Sequence, residues 1–105
     1  MKTLANLFKN SDSSFSLKGR LGFSSIKQIA SAAKSLLNFK SDITIDCAML
    51  EHCDSAGIAL LVNWQKAAKL NGVKILFVNF TQQMQHLIAL MGLESVFFGD
   101  KKHEE

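Results

Sequence analysis

The stretch ITIDCAMLEHCDSAGIALL, residues 43–61, changes character at its middle. Asp42 to Met49, DITIDCAM, is short, partly β-branched and apolar, as expected of a central strand covered on both faces. Ala56 to Asn71 is too long and too helix-prone for a second strand, and Asn71-Gly72 is a helix stop. Asp54, Ser55 and Gly57 therefore sit where a strand turns into a helix. In an open α/β sheet, that loop is where ligands and partners are met. A helix start offers unpaired N–H groups and partial positive charge, so Asp54 or Ser55 can cap it and a phosphate there would be stabilised. Gly57 in the first helical turn costs about 1 kcal/mol against Ala, which implies that another backbone, of this chain or of a partner, comes close.

Working outward, Ser14 to Leu21, SFSLKGRL, alternates as a half-buried strand does, and Leu4 to Phe8 is a shorter partner joined by the turn-prone NSDSS. From Phe23 to Leu37, apolar residues recur at three- and four-residue steps opposite Lys27, Lys34 and several serines, the pattern of an amphipathic helix. Val73 to Asn79, VKILFVN, reads as another buried strand. Thr81 is placed to cap a helix with Met84, Leu87, Ile88 and Met91 inward, and Ser95 to Phe98 suits a final edge strand. The order β-β-α-β-α-β-α-β predicts one α/β domain over residues 1–105, a mixed four- to five-stranded sheet with helices packed on it. Its core spans about 14–98, its charged tail 99–105, and the third strand reaches the fourth by a right-handed crossover.

Plotted at about 100° per residue, the helix after the motif separates into faces. Leu60, Leu61, Trp64, Ala67 and Ala68, with Gly57, turn towards a core. Ile58 and Val62 fall on the side shared by Ser55, Lys66 and Lys69. That side predicts a partner-binding stripe of Ser55, Ile58, Ala59, Val62, Lys66 and Lys69, with Asp54 and Gly57 at its start. The alternative is that the first helix or the C-terminal segment covers Ile58 and Val62.

Composition narrows the function. The 105 residues suffice for one modest core. Ile75 to Leu93, free of charged side chains, is too polar to cross a bilayer, and MKTLANLFKNSDSS lacks the apolar core of a signal peptide, so a cytoplasmic domain without direct membrane insertion is expected. Cys47 and Cys53 form neither a disulfide framework nor a zinc knuckle, and His52, His86 and His103 have no metal-ligand spacing, so neither metal nor cofactor is expected. Residues 1–41 carry seven basic side chains against Asp12, and the remainder five against eight acids. The lysines are scattered singly with no nucleic-acid motif, which argues for a solvated face and against nucleic acid as a partner. Ser55 lacks the G-x-S-x-G elbow and an evident histidine base, and GRLG (19–22) lacks the lysine and length of a phosphate-binding loop, so no enzyme is indicated.

A strand carrying IDCAML, then DSAGIALL, a helix to an NG stop, VKILFVN and a last helix reading MQHLIALMGLESVF together resemble the STAS domain from about Phe15 to Phe98. In anti-sigma factor antagonists of that family, the residue matching Ser55 is phosphorylated by a partner kinase, with Asp54 and Gly57 matching the rest of the motif. The chain is more similar to the stand-alone MlaB-type subunit of the Mla phospholipid transporter, a domain of about this length, through IALL, the basic first half and the weakly matched N-terminus. That resemblance implies a non-catalytic regulator, peripheral at the inner membrane, whose helix from Ser55 packs on an ABC transporter ATPase subunit and supports outer-membrane lipid asymmetry. The anti-sigma branch implies instead a phosphorylation switch at Ser55 and a kinase as partner.

Overall fold

The computed structural model describes residues 6–99, so Leu4 of the first expected strand and the tail beyond Gly99 lie outside it. Strands β1 (Asn6–Ser11), β2 (Ser14–Leu21), β3 (Ile43–Cys53) and β4 (Ile75–Val78) form one sheet in the order β1-β2-β3-β4. β1 and β2 are an antiparallel hairpin, whereas β2–β3 and β3–β4 are parallel. The two parallel connections are made by α1 (Ile26–Leu36), entered through a 3₁₀ turn at Phe23–Ser25, and by α2 (Ser55–Leu70). Two helices, α3 (Gln82–Leu90) and α4 (Glu94–Phe98), follow β4.

Burial alternates along β2: Phe15, Leu17, Gly19 and Leu21 are buried, while Lys18 is exposed and Ser16 and Arg20 are half-buried. The same alternation along β4 buries Ile75 and Phe77 and leaves Leu76 60% exposed. The helices therefore cover one face of the sheet. β3, expected to be covered on both faces, is covered on one: Ile43, Ile45 and Cys47 join the core, and Thr44 and Asp46 point the other way. Its apolar composition comes from its central position, not from a second helical layer.

β3 also runs four residues past the expected Met49. Ser16 pairs with Asp46 but Lys18 with Met49, and Gly19 pairs with Leu50 but Arg20 with His52. Each shift inserts one extra residue, a β-bulge that resets which side chains face inward. Cys47, Leu50 and Cys53 consequently all reach the core although they are spaced by three, which hides the strand from a two-residue alternation test. The bulges carry β3 to the start of α2.

Thr81 caps α3 as expected, its hydroxyl accepting from the Met84 N–H at 3.2 Å. Met84 and Ile88 are buried and Leu87 half-buried, but Met91 is exposed because it lies past the last helical turn as the C-cap residue. The segment expected as a fifth strand, Ser95–Phe98, is helix α4 instead. Its aromatic residues pack as a cluster: Phe97 lies edge-on to Phe77 and Phe80, and Phe98 edge-on to Phe80. Aromatic packing, not strand pairing, holds the C-terminal segment.

Candidate functional site

Three elements meet at the start of α2. Asp54 is its N-cap, and its Oδ1 accepts from the Gly57 N–H at 3.0 Å. Its Oδ2 accepts at 3.1 Å from the N–H of Phe23, 31 residues earlier in the chain. Its own N–H donates to the Leu21 carbonyl at 3.1 Å. The third element is α3: the Gln83 side-chain oxygen accepts from the Cys53 N–H at 3.0 Å, and its nitrogen lies 3.1 Å from His52 Nδ1. The turn from β3 into α2 is thus braced by the β2–α1 loop on one side and by α3 on the other.

Two glycines make the joint possible. A Cβ on Gly57 would stand 2.7 Å from the Leu21 carbonyl oxygen and 2.9 Å from Cys53 Sγ. The close backbone implied by the sequence is therefore this chain's own, and Gly57 is buried and unavailable to a partner. A Cβ on Gly22 would stand 2.5 Å from Asp54 Oδ2, so only glycine lets that carboxylate reach the Phe23 N–H.

Electrostatics follow the geometry. Desolvation opposes ionisation of Asp54, but the N–H groups of Phe23, Gly57 and Ala56, with the charge of His52, outweigh it and hold the carboxyl below its usual range. Burial, aided by Asp54, pushes the Cys53 thiol up to about 12, and burial with Cys53 and Asp46 does the same to Cys47. Neither thiol is a nucleophile at neutral pH. No group of three or more His, Cys, Asp and Glu among the described residues is placed to hold a metal.

The expected stripe divides. Ser55, Ala59, Lys66 and Lys69 are exposed, Val62 is half-buried and Asp54 is half-buried under its hydrogen bonds. Ile58 is fully buried and leaves the stripe. The reason is that α2 is flanked by α1 and α3 as well as by the sheet, so its apolar arc is wider than one core face and takes in Ile58. Sequence reasoning passed over Phe23, Gly22 and Gln83. GRLGF carried a signal, a glycine before an aromatic at a strand end, but nothing local ties it to Asp54.

The chain and its fold match known proteins. The chain matches the family model described as Mlab, STAS domain over residues 7–98. It belongs to the STAS domain family, of the MlaB type. Among solved structures, the anti-sigma factor antagonist SpoIIAA in its unphosphorylated form matches this STAS domain with a TM-score of 0.68 at 14% identity, over 95% of this chain and 90% of that one. At that identity the likeness concerns the fold. No curated protein sequence matches significantly. STAS domains mediate protein–protein interactions, and no described helix here is long and apolar enough to cross a membrane.

Proposed function

We propose that this STAS domain is a non-catalytic subunit that binds and regulates the ATPase of a phospholipid ABC transporter at the cytoplasmic side of the inner membrane, in the maintenance of outer-membrane lipid asymmetry. The observation that carries the reading is the rigidly braced start of α2. It holds an exposed Ser55, with Ala59 and Lys66 along the same face, beside a cap carboxylate whose hydrogen bonds are taken up within the chain. Such a surface recognises by shape. The MlaB-type family match directs it towards a transporter ATPase.

Titration calorimetry against the purified ATPase subunit tests the reading. Ser55→Asp and Ala59→Glu are expected to leave the unfolding midpoint unchanged and to weaken binding by at least about tenfold, since each puts a charge into a desolvated contact. Full affinity in both variants removes the surface.

A phosphoswitch with a kinase partner is the second reading, and the exposure of the Ser55 hydroxyl at a helix N-terminus favours it. A phosphate there would add about −1.5 to −2 charges where backbone N–H groups stabilise it. It requires ATP-dependent labelling that Ser55→Ala abolishes.

A further inference from the structure

The surface next to Ser55 continues into a trough whose opposite wall lies outside the motif. Between α1 and α2 lie two cavities. The first, about 590 Å³, is walled by Phe23, Ile26 and Lys27 on one side and by Ala59, Leu60 and Asn63 on the other. The second, about 380 Å³, has Ala30, Lys34, Leu37 and Phe39 facing Trp64. The floor is apolar, and the charged groups along it are two lysines of α1. Lys27 and Lys34 are seven residues apart, which places them on one helix face about 10 Å apart. No acidic side chain lines either cavity, and neither lysine has an ion-pair partner among the described residues. At the mouth Phe23 is 85% exposed, an unusual state for an aromatic whose backbone is tied down by Asp54.

We propose that the α1–α2 seam is a docking groove for an acidic amphipathic helix of the partner protein, with apolar side chains seated between Phe23 and α2 and two carboxylates one heptad apart against Lys27 and Lys34. The inference rests on the reading of this domain as an interaction subunit and names the segment it grips. Three arguments choose the occupant. The walls are built mainly from α1 and α2, with Phe23 of the 3₁₀ turn and Phe39 at the ends, and none of them is a strand, so an extended segment would find no strand edge to pair with, whereas a helix satisfies its own backbone. The lysine spacing repeats once per two helical turns, the period at which a helix presents the same face. Ala59 belongs to both the exposed face of α2 and the wall of the trough, so one partner covers both without a break.

Trp64, the chain's single tryptophan, lines the second cavity and reports on the trough. The test uses two synthetic helical peptides of about 18 residues, or five turns. They share one leucine face and differ only in bearing two glutamates or two lysines seven positions apart. The acidic peptide is expected to shift Trp64 emission and to bind about tenfold tighter than the basic one, a preference that Lys27→Glu with Lys34→Glu inverts and Phe23→Ala weakens at an unchanged unfolding midpoint. Equal binding of the two peptides, or none by the acidic one, overturns the proposal. So does a dimer in sedimentation that the double reversal dissolves, which would make a second copy the occupant. The peptides contain no ATPase sequence, so their result stands whether or not the ATPase binds. ATPase binding that is lost in Ser55→Asp but intact in the double reversal would refute the groove and leave the proposed function in place.

Discussion

At its C-terminus α2 is closed by its own chain, whereas at its N-terminus it is closed by the rest of the molecule. Gly72, at a φ of 75°, donates to the Lys69 carbonyl, Val73 donates to that of Ala68, and the Asn71 side chain donates to that of Ala67. Every partner lies within five residues, a Schellman closure that leaves Leu70 89% exposed. At the other end, Asp54 reaches Phe23 across 31 residues and Gly57 lies against Leu21. One end is punctuation, and the other is a joint between three elements. The proposed partner surface lies at the joint, where contacts from β2, the β2–α1 loop and α3 brace the start of α2.

That contrast predicts a graded set of effects. Gly57→Ala should be the most damaging, because its methyl meets a backbone carbonyl that cannot rotate away; a loss of about 3 kcal/mol in denaturant unfolding is expected. A loss under about 1 kcal/mol would mean the joint yields, and the two ends would then be alike.

Asp54→Ala comes next, at about 1.5 kcal/mol, since it removes a helix cap together with the tie to Phe23. The same carboxylate carries a pH signature. Its folded-state pKa lies below the ordinary value of 3.8, so the stability it contributes is complete above that value and is lost as pH falls through the lower folded one. Asp54→Asn should flatten the acid limb of the stability profile between those two values, and an unchanged limb would assign it to other carboxylates.

At the local end, Gly72→Ala should cost about 1 kcal/mol. The positive φ disfavours a side chain, while open space around the position means nothing is struck. Leu70→Ser should fall within about 0.5 kcal/mol of the parent, as an exposed substitution does. A larger loss there, read from the same unfolding curves, would show that the C-terminal end has tertiary support after all.

What was legible follows the same division. The span of β2, the cap at Thr81 and the stop at Asn71-Gly72 are each encoded within a few consecutive residues, and they stand where the sequence places them. The end of β3 was not legible, because two bulges break the alternation that marks a strand. The last segment was misread for a related reason: Val96, Phe97 and Phe98 suit a strand by composition, yet a short helix sets Phe97 and Phe98 against Phe77 and Phe80. At the candidate site, Asp54 and Ser55 stand out in the sequence as a motif, whereas the helical wheel leaves Ile58 open between a partner stripe and cover by another part of the chain, because a wheel drawn for one helix does not show its neighbours; the structure buries it.

By itself, then, the sequence determined the order of all elements but the last, the α/β class and the position of the strand-to-helix loop, since propensity, periodicity and end signals act over one or two turns. Tertiary structure alone decided that Ile58 is interior, that the backbone against Gly57 is that of Leu21, that Gly22 makes room for the Asp54 carboxylate, and that Phe23, Lys27 and Lys34 line a trough beside α2. These are contacts between residues some thirty positions apart. They exist because the sheet brings the end of β2 beside the end of β3, a neighbour relation that no local pattern encodes.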